Sequence, residues 1–140
     1  VTVVLGAACP HIDEVTEQAE SMRLATRVVV NANNMAELMS QADLAIGAAG
    51  GSAWERCCLG LPSLLVVMAD NQRPVAEALK HAGASLSLGW PGALEETLPR
   101  AMREVLAAGR LLEMSQNAAA ICDGLGVQRV ADALREGSDE

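Results

Sequence analysis

Residues 47 to 55 read Gly-Ala-Ala-Gly-Gly-Ser-Ala-Trp-Glu, with three glycines in five positions directly ahead of helix-forming residues. Two kinds of chemistry suit such a stretch. Glycines let a ligand come close to the main chain, and the N–H groups that begin a helix can hold a diphosphate without any Lys or Arg. Alternatively, Ser52-Ala53-Trp54-Glu55 fits the S-x-x-E capping box, in which the hydroxyl and the carboxylate satisfy N–H groups at a helix start. Neither G-x-x-x-x-G-K-[ST] nor G-x-G-x-x-G is present, so no established phosphate-loop motif decides between a ligand cradle and a tight strand-to-helix turn.

A second polar cluster follows one apolar run later, at Ala69-Asp70-Asn71-Gln72-Arg73-Pro74. Pro74 suits a first helical turn, and Asp70 or Asn71 can cap it. Capping accounts for one of these polar side chains. Asn71 and Gln72 remain as amides able to meet phosphate and sugar oxygens. Asn31-Ala32-Asn33-Asn34 reads as a turn that caps a helix from Met35. His11 is a loop residue with no carboxylate marking it as an oriented base, and His81 places a favourable charge near a helix C-terminus. Cys9, Cys57, Cys58 and Cys122 lack C-x-x-C spacing and read as buried reduced thiols. No two His share a helix face and no carboxylate run has calcium-loop spacing, so no metal site is expected.

The elements that must position these residues alternate. Strands are expected at 1–5, 27–31, 43–47, 62–68 and, as an edge strand, 84–88. Helices are expected over IDEVTEQAESM, MAELMSQA, SAWERCCLG and PVAEALKHAG, the last closed by Gly83 in the left-handed C′ position. From Gly92 onward only helices are visible, over ALEETLPRAMREVLAAG, RLLEMSQNAAAICDG and VQRVADALREG, with Glu96 and Arg100 as an i,i+4 pair on a solvated face. Strands separated by helices of about ten residues imply βαβ units, hence an α/β, Rossmann-like parallel sheet flanked by helices. Ligands of such sheets bind beyond the carboxyl ends of the strands, where all three polar stretches fall.

Composition bounds the answer further. The 140-residue chain is 51% hydrophobic, with two Trp and no Phe or Tyr, so its core must be small aliphatic side chains in close layers. A formal net charge of −8 argues against a nucleic-acid partner. No apolar run is long enough to span a bilayer and no signal precedes the first strand, so a cytoplasmic chain is expected. The sequence opens inside a strand, and residues 1–140 are expected to be one nucleotide-binding domain that lacks its first strand and an N-terminal domain.

Residues 42 to 84, with WERCCLGLPSL and ADNQ as the most specific segments, resemble the nucleotide-binding half of the UDP-sugar hydrolases of pseudaminic acid biosynthesis. VTVVLG, NMAELM and CDGLGVQRVADAL extend the resemblance over nearly the whole chain. More distantly the sequence is similar to the N-acetylglucosaminyltransferase of peptidoglycan lipid-intermediate synthesis, which implies the C-terminal half of a GT-B fold. The resemblance implies that Gly50, Gly51 and Ser52 lie against the diphosphate of UDP or a UDP-sugar, and that Glu55 accepts hydrogen bonds from the ribose hydroxyls. It further implies that the main chain around Asn33, Asn34 and Met35 meets uracil, and that Asn71 and Gln72 reach the diphosphate or sugar. It implies no cofactor, and it puts the catalytic base in the partner N-terminal domain, so the chain alone would hydrolyse nothing. A GT-B glycosyltransferase and a non-catalytic binding module are the alternatives.

Overall fold

The computed structural model describes residues 1–136 and divides into two compact units, Val1–Glu37 and Leu38–Glu140. Every strand pairing in both is parallel. The first unit is one βαβ unit. Strand β1 (Thr2–Leu5) leads through α1 (Ile12–Ser21) to β2 (Arg27–Val30), in register from Thr2 beside Arg27 to Leu5 beside Val30. The short helix α2 (Met35–Ser40) crosses from one unit into the next.

The second unit holds three strands in the order β3 (Ala45–Ala48), β4 (Ser63–Val66), β5 (Ser85–Gly89), so β5 is an edge strand as its alternating pattern predicts. The connections are α3 (Ser52–Cys58) and, after a 3₁₀ turn at Asp70–Gln72, α4 (Arg73–His81). Helices α5 (Leu94–Val105), α6 (Arg110–Ile121) and α7 (Gly126–Glu136) complete the described chain. Among the described residues no helix is long and apolar enough to cross a membrane.

Strand β4 is buried at all four positions, and its period of two deals side chains to two clusters. Leu65 and the following Val67 join Ala49, Ala53 and Cys57 around α3, Ala76 and Leu79 of α4, and Ala118 of α6. Leu64 and Val66 face the other way, onto Ala101 and Val105 of α5 and Met114 of α6. Each fully buried Leu contributes about 1.5–3 kcal/mol, and the alanines keep the helices close to the sheet in the absence of Phe and Tyr.

Helix α4 ends as the sequence predicts. Gly83 has φ of +72°, its N–H donates to the Lys80 carbonyl and the N–H of Ala84 donates to that of Leu79, each at 3.0 Å. Both bonds define a Schellman cap. A Cβ on Gly83 would also stand 2.7 Å from Asn117 Nδ2, which donates to the Gly83 carbonyl.

Candidate functional site

The sequence places β3 at 43–47, whereas the strand runs from Ala45 to Ala48, and the Ala49 N–H continues its ladder by donating to the Val66 carbonyl at 3.1 Å. Gly47 is therefore a strand residue. Only Ala49, Gly50 and Gly51 connect β3 to α3.

The capping box is not formed. Gly51 already has helical backbone angles, φ −54° and ψ −37°, and it occupies the N-cap position with no side-chain cap. Ser52 is consequently the first helical residue, one position too far along the helix for its hydroxyl to reach the amides that a cap satisfies. Its Oγ instead accepts a hydrogen bond from Arg56 Nη1 at 3.3 Å. The Glu55 side chain is exposed and makes no return bond to the helix start.

Nor does the turn require its glycines for backbone conformation, since neither Gly50 nor Gly51 has a positive φ. Space is the difference that they make. A Cβ on Gly51 would meet nothing within 4 Å, and one on Gly50 would meet only Gln72 Nε2 at 3.7 Å. The first bonds of the turn run from Ala53 N–H to the Gly50 carbonyl and from Trp54 N–H to the Gly51 carbonyl. No described group accepts from the N–H groups of Gly50, Gly51 or Ser52, which therefore remain able to bond a ligand.

Arg56, which sequence reasoning passed over, is the unusual residue beneath this turn. It is 6% exposed, and its guanidinium spends three N–H groups on Ser63 Oγ (3.1 Å), Ser52 Oγ (3.3 Å) and the Ala48 carbonyl (2.8 Å). No described carboxylate forms an ion pair with it. Burial accordingly lowers its pKa, yet guanidinium remains charged in proteins. A buried cation with no anion of its own is costly and marks a place where an anionic ligand would be welcome. The strand glycine makes room for it, because a Cβ on Gly47 would stand 3.0 Å from Arg56 Nη1. A signal did exist in the sequence. Ala53, Arg56 and Cys57 fall at i, i+3 and i+4 and form the buried face of α3, so an arginine occupies a core position. By accepting from Arg56, the Ser52 hydroxyl keeps its own hydrogen for a further acceptor.

The second polar cluster lies beside the first. Asp70, Asn71 and Gln72 form the 3₁₀ turn, with Asp70 and Asn71 exposed. The expected caps are again absent, because Gln72 occupies the N-cap of α4 without a side-chain bond, although Pro74 does sit in the first turn. Gln72 Oε1 instead accepts from the Met68 N–H at 3.0 Å, which holds the amide against Gly50. Gly50, Gly51, Ser52 and Gln72 are thus brought together, with Glu55 one turn along α3 and Asn71 next to Gln72.

Asn33, Asn34 and Met35 belong to the other unit. Asn33 and Asn34 are exposed, Met35 is half-buried, and Asn34 Nδ2 donates to Glu37 Oε2 at 2.9 Å. Asn31 has a left-handed φ of +54° and its N–H donates to the Leu5 carbonyl, so the segment is a turn closing β2. His11 is exposed at the start of α1 and pairs with Glu14 at 3.0 Å, a local contact invisible to its sequence reading.

The thiols differ from expectation. All four are free, but Cys57 alone is buried; Cys58 is exposed and Cys9 and Cys122 are half-buried. Cys58 ends α3 at the helix surface, where the i,i+1 step of about 100° carries it away from the face holding Cys57. Among the described residues no group of three or more His, Cys, Asp or Glu could hold a metal ion. A cavity of about 690 Å³ opens at the amino ends of β3 and β4, lined mainly by apolar residues including Leu59, Leu106 and Leu112. It is remote from the carboxyl-end loops and has none of their convergent polar groups.

Residues 4–133 match the glycosyltransferase family 28 C-terminal domain. The spore coat polysaccharide biosynthesis protein SpsG of Bacillus subtilis is 33% identical over 135 residues, covering 95% of this chain and 40% of that protein. Among solved structures, MurG of Acinetobacter baumannii superposes with a TM-score of 0.81 at 20% identity, over 97% of this chain and 41% of that one. WaaG, a glycosyltransferase involved in lipopolysaccharide biosynthesis, superposes with a TM-score of 0.64 at 22% identity, over 94% and 37%. The spinosyn rhamnosyltransferase SpnG, complexed with thymidine diphosphate, gives 0.57 at 17%, over 94% and 45%. This chain therefore spans about two fifths of the proteins it matches, and the fold is that of the C-terminal half of a GT-B glycosyltransferase. The chain belongs to the glycosyltransferase family 28 C-terminal domain family.

Proposed function

We propose that this chain is the UDP-binding domain of an enzyme that breaks the bond between a sugar's anomeric carbon and UDP. The observation that carries the reading is the turn at Gly50-Gly51-Ser52. Among the described residues its three N–H groups lack acceptors and the buried guanidinium beneath it lacks a carboxylate, while its glycines are open where a Cβ would otherwise stand. A diphosphate set against this turn gains charge-assisted hydrogen bonds worth about 1.5–3 kcal/mol each. Because UDP gathers negative charge as it leaves, the same groups favour the transition state over the ground state, which requires no metal in this half. In this reading Glu55 accepts from the ribose hydroxyls, and Asn71 and Gln72 meet the diphosphate or sugar.

Two acceptors are compatible with this half. The resemblance to the pseudaminic acid UDP-sugar hydrolases favours water, with a base supplied by the N-terminal domain and free sugar as product. The matched glycosyltransferases, thymidine diphosphate-bound SpnG among them, favour a hydroxyl acceptor. Product analysis with the full-length protein separates the two, since only the hydrolase releases free sugar without an acceptor.

Binding is tested first, by thermal shift of this chain with UDP, ADP or no ligand. UDP at one hundred times its dissociation constant should stabilise the chain by about 2.7 kcal/mol, and ADP by clearly less. Glu55→Ala and Arg56→Met should each abolish most of the UDP shift. Arg56→Met should change the ligand-free melting point little, because relief of the buried charge opposes the lost hydrogen bonds. Equal melting curves for all three conditions would favour a binding module that kept the fold without the ligand.

A further inference from the structure

The cysteines hold an arrangement that nucleotide binding does not use. Cys58 Sγ and Cys122 Sγ, 64 positions apart in sequence, lie 3.4 Å from each other. Their closeness is built by packing on both sides. Cys57, beside Cys58, shares a core cluster with Ala118 of α6, and Ile121 and Cys122 pack against that cluster. One turn further, a Cβ on Gly60 would meet Ser115 Oγ and Ala119 Cβ of α6 at 3.3 and 3.5 Å. The chain after α6 then turns back over Cys58. Gly124 has φ of +75°, and a Cβ there would stand 3.1 Å from Cys58 Sγ. Asp123 fixes this turn by accepting from the Leu125 N–H at 3.0 Å and pairing with Arg129. One thiol of the pair is exposed and the other half-buried.

We propose that Cys58 and Cys122 are a two-electron oxidation site that closes to an intramolecular disulfide with a small-molecule disulfide as oxidant. The exposed Cys58 thiolate attacks the oxidant RSSR, forming a Cys58–SR mixed disulfide and expelling RS⁻, which takes up the proton that Cys58 lost. The Cys122 thiolate then attacks Cys58 Sγ, expelling the second RS⁻, which takes up the Cys122 proton. The two cysteines are oxidised, one RSSR is reduced to two RSH, and no other reactant is needed. The sulfurs must approach by roughly 1.4 Å to reach the bonded distance of about 2.05 Å. Side-chain rotation at the end of α3 and in the turn after α6 can supply that movement. The bond would join the end of α3 opposite its glycine turn to the segment between α6 and α7, across a loop long enough to restrict the unfolded chain strongly. Its formation does not depend on the nucleotide reading.

The test uses the fully reduced chain and oxidised glutathione at about pH 9, on the alkaline side because the hydrogen bond with Cys122 raises the Cys58 pKa and the thiolate is the attacking form. After alkylation and digestion without reductant, mass spectrometry should find Cys58 and Cys122 peptides joined with the loss of two hydrogens, at least tenfold above any other pair. Cys9 and Cys57 should be alkylated. The melting point should rise by about 5 °C or more and return when dithiothreitol is added. In Cys122→Ser the reaction should stop with glutathione on Cys58, whereas Cys57→Ser should still close the bond. Joining of Cys57 to Cys122, stable glutathione on Cys58 in the unsubstituted chain, or two thiols that stay alkylatable would each overturn the proposal.

Discussion

The two compact units are written in the same strand-helix-strand pattern but are stabilised differently. In Val1–Glu37, Ala19 is the one buried side chain among the described residues, and β1 and β2 are at most half-buried. In Leu38–Glu140, β4 is buried throughout and feeds an apolar cluster on each face. Short valine runs such as Val28-Val29-Val30 are enough to specify a parallel strand. They do not specify a core, which needs helices on both faces and small residues that let those helices approach. The turn at Gly50-Gly51 therefore rests on rigidly packed elements, whereas Asn33 and Asn34 stand on a unit with little buried apolar surface of its own.

The largest test of this contrast is truncation in each unit. Leu65→Ala should cost about 3 kcal/mol, within the usual range for a buried Leu. Val29→Ala, at a half-buried strand position, should cost about 1 kcal/mol or less. Urea unfolding measures both, and equal losses would break the contrast.

Glycines sharpen it at a smaller scale. Gly83→Ala should cost about 1–2 kcal/mol, because it forces an alanine into a left-handed conformation and against Asn117. Gly51→Ala should leave stability within about 0.5 kcal/mol, since its backbone is already helical and the space around it is open. If Gly51→Ala were as damaging as Gly83→Ala, the glycine turn would be a packing device and its openness would carry no meaning for ligands.

The smallest expected effect lies at the surface. The Arg129 guanidinium and the Leu125 N–H hold the Asp123 carboxyl at about 2, below its ordinary 3.8. A depressed folded value means that this carboxylate favours the fold above about pH 4, and that the contribution is lost as pH falls through about 2. Carbon-detected titration should place the Asp123 midpoint well below the ordinary carboxylate value, and Arg129→Gln should raise it.

Much of this was legible in the sequence. The parallel α/β architecture, β5 as an edge strand, the Gly83 cap and the first-turn Pro74 all follow from local pattern and turn chemistry. What escaped depends on contacts between distant segments. Ser52 and Glu55 fit a capping box by spacing alone, but Gly51 took the helical conformation and moved the helix start by one residue. The role of Gly47 is invisible without the guanidinium that fills the space above it. Arg56 was overlooked although its position at i+3 from Ala53 puts it on the buried face, because a charged residue beside Glu55 reads as solvated until the face is drawn. The approach of Cys58 to Cys122 depends on how α3 packs against α6, which periodicity does not encode.

Amide NMR during a UDP titration shows whether the amides of Gly50, Gly51 and Ser52 grip the diphosphate of UDP. These three N–H resonances should move downfield together and saturate at one dissociation constant, while a titration with uridine moves them little. Saturable UDP binding that leaves all three resonances in place would contradict that grip.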